Sequence, residues 1–293
     1  MTEPDLHQLR LEKWRLNGNA VRTLEQARVF LEDTGFCSLY PSRPALALPT
    51  FVGAFVGSDD RLPTWQHAYS DPRALEATEL MVRLLRERSA FEANLGDENN
   101  AFLVAATVFP YFYALVGERN PKQPPKPGPR SPYSQLARDA FEIISRQGPI
   151  SKRSLQEALA KSISLPALDK ALGELSARLR ITRVDYKPSE GGSYWDVLYR
   201  WAPDAVREGT RLSVLQALSA LVSKYIDCLV AVEQNDLEDF FGRMVARSRV
   251  RDAVNALLAA RELSFVRVAD RTMLQITPAK EAVVAAAQRH ISR

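Results

Sequence analysis

A mainly α-helical chain with small β-hairpin wings, an α+β arrangement of tandem winged helix-turn-helix modules, is predicted by three observations. The first is a break at Glu118–Tyr133, where six prolines and one glycine fall in sixteen residues and neither a helix nor a sheet ladder can persist. The second is the order of patterns between Ser134 and Pro203: three helices, a strand, a glycine-rich turn and another strand. The third is the return of that order between Ser213 and Thr277, with little residue identity between the copies.

In chain order, Thr23 and Gln26 fit a capping box, and the helix they open over Thr23–Thr34 stops at Gly35. Pro41, Pro44 and Pro49 make Tyr40–Thr50 a loop. Asp71 caps a helix through Arg88 with Pro72 at its first position. Ala101–Leu115 is apolar and carries Phe-Pro-Tyr-Phe-Tyr at Phe109–Tyr113. After the break, Ser134–Gln147 has Leu136, Ala137, Ala140, Phe141 and Ile144 at helical spacing and ends at Gly148-Pro149. Ser151 caps Lys152–Ala160, and Ser164 caps Leu165–Leu179. Ile181–Tyr186 and Tyr194–Trp201 alternate as strands across Ser189–Ser193. In the second copy, Ser213–Val232 is a long helix, Asn235 or Asp236 caps a short one through Phe241, and Ser248–Leu263 is the third. Ser264–Val268 and Met273–Ile276 form its hairpin. The domains expected are a helical, winged-helix-like part at 1–118, a basic proline-rich linker at 119–133, winged helices at 134–205 and 210–280, and a tail at 281–293.

Composition narrows the function classes. Apolar residues are 46% and charged residues 25% of the 293, ordinary globular values that exclude a disordered or collagen-like chain. No window approaches the ~18 uninterrupted apolar residues of a membrane span, and Met1–Arg15 lacks the apolar core of a signal peptide. Two cysteines, Cys37 and Cys228, build no disulfide framework, so a reducing, cytoplasmic compartment is expected. The three histidines lack ligand spacing, and no Walker loop, GxGxxG or GxSxG occurs. No metal or cofactor is expected.

Charge says more. Arg119–Arg153 holds eight basic residues, Arg130, Lys152 and Arg153 among them, against two acids. Arg243, Arg247, Arg249 and Arg251 cluster where a recognition helix would start. One such cluster reads as a solvated face. Two, each on a winged-helix unit, point to phosphates and base edges of double-stranded DNA. Trp195, Tyr199 and Trp201 read as core of the small sheet, and Trp65, His67 and Tyr69 as a pocket lining or a loop staple.

These features together resemble the AlkZ-related winged-helix family, the AlkZ-type DNA glycosylases and their relatives. The resemblance covers about residues 20–280 and is carried by Gly148-Pro149-Ile150-Ser151 leading into Leu155 and Leu159, and by Phe102–Tyr113, which resembles the AlkZ-related branch more closely than the glycosylases proper. It implies three winged helices around a concave, basic DNA surface, and metal-free removal of alkylated or crosslinked bases. It also implies a Gln-apolar-Gln or Gln-apolar-Asp motif between a glycine and a proline. The matching stretch is Gly35-Phe36-Cys37-Ser38-Leu39-Tyr40-Pro41, which puts Ser38 and Tyr40 at the two catalytic positions. Neither supplies an anion near pH 7. The expected function is therefore DNA binding related to repair, with no catalytic residue assigned and Tyr40 able to stack on a base. The rivals are a metal-free glycosylase with a rearranged site of Ser38, Tyr40 and an acid from elsewhere, such as Glu32, Asp59 or Asp60, and a protein-interaction scaffold. An acid or amide facing the concave surface separates the first two; apolar exposed helix faces mark the third.

Overall fold

The computed structural model describes residues 1–41, 47–68, 70–94, 101–129, 131–159 and 162–278. Helix starts follow the capping residues. Thr2 opens α1 (Glu3–Lys13) and Thr23 opens α2 (Leu24–Thr34), each through a reciprocal capping box. Gly35 ends α2 at φ 79° and turns the chain into β1 (Phe36–Ser38). Thr50 caps α3 (Phe51–Val56), and Asp71 with Pro72 starts α4 (Pro72–Arg86). β2 (Ala90–Asn94) and β3 (Ala101–Ala105) complete a sheet of order β1-β3-β2. β3 leads to α5 (Phe109–Val116).

The middle of the chain repeats the order. It runs α6 (Gln135–Gln147), β4 (Ile150–Ser151), α7 (Lys152–Leu159), α8 (Leu165–Ser176), β5 (Ile181–Lys187) and β6 (Gly192–Val197), with sheet order β4-β6-β5. The strand expected to reach Trp201 stops at Val197, and Leu198–Trp201 forms the short α9. The buried Asp196 explains the stop. Its Oδ1 accepts from the Val197 amide at 2.7 Å, and it pairs with Arg200 one turn ahead. Tyr199 and Trp201 therefore lie on a helix, not on the strand with Trp195.

After α10 (Pro203–Arg211) come α11 (Val214–Leu229), α12 (Gln234–Phe241), α13 (Arg247–Ala259), β7 (Leu263–Val268) and β8 (Arg271–Ile276). Ser213 caps α11. The cap of α12 is Glu233 rather than Asn235 or Asp236, which fall in its first turn. Val232 forms a single antiparallel bridge to Leu274 in the position that β1 and β4 occupy in their units. Helix, strand, helix, helix, strand, strand thus recurs three times, the third with its first strand reduced to that bridge. The result is a mixed α+β chain with small antiparallel sheets, as the sequence predicts.

Aromatic packing joins the first and last units. Phe36 of β1 meets Phe112 of α5 edge-on at 5.0 Å and stacks with Phe240 of α12 at 5.8 Å. Tyr225 of α11 stacks on Phe240 at 4.6 Å, and Phe102 of β3 meets Phe240 edge-on at 6.1 Å. Gly209 lets α10 lie on α5, because a Cβ there would sit 2.7 Å from the Pro110 carbonyl oxygen. The middle unit has a separate core around Phe141, Leu155, Leu172 and Ile181. α1 closes the C-terminus of α11. Arg10 donates to the Leu229 and Ala231 carbonyls at 2.9 and 2.7 Å, and Trp14 Nε1 to that of Cys228 at 2.9 Å, a favourable placing of positive charge. Among the described residues no single helix is long and apolar enough to cross a membrane.

The proline-rich stretch is fastened to the middle unit by Arg180, whose side chain is 1% exposed. Its guanidinium donates to Glu118 Oε2 at 2.6 Å and to the Asn120 and Gln123 carbonyls, and it covers the Phe141 ring. The Tyr133 hydroxyl donates to the same carboxylate. Glu118→Ala strips both partners of that carboxylate and is expected to cost roughly 2–4 kcal/mol in urea unfolding. Burial pushes the Cys228 thiol up to about 12 from about 9, and Cys37 upward as well. The folded thiols hold protons more tightly than the unfolded ones. That contribution is complete below about pH 9 and is lost as pH rises towards about 12. The urea midpoint should fall across this window, less steeply in Cys228→Ala.

A candidate nucleic-acid cleft beside the first sheet

Strand register decides what the motif stretch can present. Residues directly opposed in an antiparallel sheet share a face. Phe36, Val104 and Phe91 form one row, and Ser38, Phe102 and Ala93 another on the same face. That face packs on the aromatic cluster. Ser38 is accordingly buried, 3% exposed, and its hydroxyl is 3.4 Å from the Pro49 carbonyl oxygen. The opposite face carries Cys37, Leu103 and Glu92, then Ala101 and Asn94, with the Leu39 amide donating to Ala101 at 3.0 Å.

Leu39, Glu92, Asn94 and Ala101 line a cleft of about 960 Å³ between the first and middle units. Tyr40, Pro41 and Trp65 extend this wall, and Trp65 is more than half exposed. The other wall comes from α8, through Asp169, Lys170 and Ser176, and from Arg183 and Trp195 of the middle sheet. Tyr40 lies beyond the end of β1, so strand alternation no longer holds it. Its hydroxyl is 3.3 Å from Thr78 Oγ1.

The cleft is charged but largely paired. Arg183 Nε donates to Glu92 Oε2 at 2.6 Å and Nη2 approaches the same oxygen at 2.5 Å, with the two side chains only 13% and 14% exposed. Glu92 Oε1 has no hydrogen-bond partner among the described residues. Asp169 pairs with Lys152 at 2.5 Å. Ser176 Oγ and Trp195 Nε1 are buried without a partner.

The basic residues expected to hold DNA are dispersed. Lys152 stands beside the cleft through Asp169, and Arg153 is exposed and pairs with Glu157 at 3.3 Å. Arg130, like 281–293 and Tyr69, falls outside the described residues. Arg243 and Arg249 are exposed and make no ion pair among the described residues, whereas Arg247 pairs with Asp239 and Arg251 lies 3.9 Å from Glu238. These four follow α12, which packs on the aromatic face of the sheet, so they are not brought to the cleft. Glu32, Asp59 and Asp60 are exposed and line none of it.

Glu92, Asn94, Lys170 and Arg183 were invisible as a group. Arg183 does occupy a polar place in the alternation Ile181–Tyr186, and Phe91-Glu92-Ala93-Asn94 also alternates, but over only four residues and with nothing local to say which partner its polar face meets. Arg183→Ala leaves Glu92 unpaired and largely buried, and should cost about 3–5 kcal/mol in denaturant unfolding. Arg146→Ala, which removes an exposed pair with Glu142, should change little.

No curated protein is significantly similar to the chain. The family described as DNA glycosylase AlkZ-like matches residues 73–291, more than half of the 293. This fits a cleft lined by aromatic and polar side chains and edged with lysines, and the chain belongs to the AlkZ-like DNA glycosylase family.

Proposed function

We propose that the protein binds double-stranded DNA in a repair setting, through winged-helix units at 1–118, 134–205 and 210–280, with 119–133 as the connector. The repeated element order and the matching sheet orders support the winged-helix reading. In it α8 and α13 are recognition helices and the hairpins are wings. The observation that carries the DNA reading is that Lys170 on α8, Arg249 on α13 and Arg243 in the turn before it are exposed cations with no acid partner among the described residues. Such cations neutralise phosphates and release condensed counterions. In this reading Ser38, turned into the core, takes no part, and Tyr40, in the cleft wall, would stack on a base. No cofactor is needed for binding, and a reducing, cytoplasmic setting suits two unpaired buried thiols.

Binding to duplex DNA should weaken linearly in log–log salt titrations. Reversing Lys152, Arg153 and Lys170 to Glu, or Arg247, Arg249 and Arg251 to Glu, should lower affinity for all sequences alike. The salt slope should become shallower by about one for each phosphate contact removed. Absence of binding at low salt, or triple variants that bind like the parent, would overturn the reading.

A further inference from the structure

We propose that residues 123–127 of the proline-rich stretch are a docking ridge for a second protein, one whose groove is lined by aromatic side chains and rimmed by carboxylates. The inference goes beyond DNA binding and does not depend on it, because none of these residues lines the cleft.

Covalent geometry sets the shape of the ridge. Pro124, Pro125 and Pro127 have φ locked at about −65°. Gln123, Pro124 and Lys126 each precede a proline, which disfavours the helical region and leaves ψ extended. Each of the five residues is therefore confined, on one dihedral or both, to the polyproline II basin. The structure has neither helix nor strand at 124–127, and the backbone there makes no hydrogen bond to other backbone among the described residues. Burial follows the three-residue period of such a helix. Pro124 and Pro127 are exposed and share one edge. Gln123 and Lys126 share the next and are exposed too, whereas Pro125, on the third, is buried. Two edges face solvent, and one of them is made of proline rings.

Both ends of the ridge are fixed. The Gln123 amide donates to the Asn120 carbonyl at 3.2 Å and the Ser131 amide to that of Gly128 at 3.0 Å, so a turn stands on either side. Arg180 grips Glu118 and the Asn120 and Gln123 carbonyls, and the Tyr133 hydroxyl donates to the same carboxylate. The ordering that docking would otherwise cost is already present in the fold.

Composition then names the partner. From 119 to 133 the chain has four cations and no acid. Arg119, Lys122 and Lys126 are exposed and enter no ion pair among the described residues. Prolines three apart on one edge fit the aromatic-lined grooves by which SH3 and WW domains read Pro-x-x-Pro. The flanking cations ask for carboxylates at the groove rim. DNA is the poorer fit, because three of the five ridge residues lack even the amide proton that could reach a phosphate.

The test uses the full chain against a panel of purified SH3 and WW domains with acidic groove rims. Binding is read by titration calorimetry at two salt concentrations, affinity for duplex DNA by anisotropy, and folding of each variant by thermal melting. The parent should bind at least one panel member, and less tightly at the higher salt. Pro124→Ala with Pro127→Ala, and separately Lys122→Glu with Lys126→Glu, should each weaken that binding about tenfold or more. Melting temperature and DNA affinity should change little. The lysine pair leaves every proline in place, so a loss there does not come from a misshapen ridge. Failure of the whole panel to bind, or variants that bind like the parent, overturns the assignment and leaves the DNA reading standing. A loss seen only in variants that also melt lower overturns it as well. Variants that lose DNA affinity instead make the stretch a nucleic-acid contact, which likewise overturns the protein-docking assignment.

Discussion

The rest of the structure depends on the stacking of Phe36, Tyr225 and Phe240. These rings come from the first strand and from two helices nearly two hundred residues later. Ring pairs at 4.6–6.2 Å add roughly 0.5–1.5 kcal/mol each beyond the area they bury. More important is what they orient. With Phe36 committed to the aromatic side, period-2 alternation commits Ser38 to it as well, and sends Leu39, Asn94 and Glu92 to the other side. One packing choice therefore decides which polar groups are buried against hydrocarbon and which reach the cleft.

The two joints of the molecule use different physics. The first and last units share apolar surface, whose attraction changes little with salt. On the strand side, the first and middle units meet through ion pairs: Glu92 with Arg183, and Arg86 with Asp185 at 2.6 Å. The former is largely buried and the latter half exposed on the arginine side, so Debye screening weakens the second far more than the first. Glu92 carries the buried pair through its Oε2 and also lines the cleft beside the joint.

Much of the fold was legible in the sequence. Caps at Thr23, Ser134, Ser164 and Ser213, the Asp71-Pro72 start and the breaks at Gly35 and Gly148-Pro149 are local signals, read by side chains within three or four residues. What was not legible is non-local. Ile150–Ser151 is a two-residue strand that exists only because Trp195 and Tyr194 pair with it. β3 is the central strand of its sheet and apolar throughout, Ala101–Ala105, so it shows no alternation in polarity. α9 replaces a strand because Asp196 engages Arg200. The cleft is non-local for the same reason: Tyr40 and Glu92 stand more than fifty positions apart and are brought to one wall by strand register.

That separation has a physical logic. A long polar side chain at position 38 would bury an amide or carboxylate against the aromatic face, at a cost only a dedicated partner could offset; serine needs just the weak contact to Pro49. On β2 the same sheet faces the middle unit, where Arg183 pairs with the largely buried Glu92 carboxylate. The sheet thus accommodates a long acidic side chain at Glu92 and excludes one at position 38. Because the opposite cleft wall is α8 and the middle sheet, the site is assembled only when the middle unit is docked. Arg180, gripping Glu118 and the carbonyls of the proline-rich stretch, ties the middle unit to the end of the first.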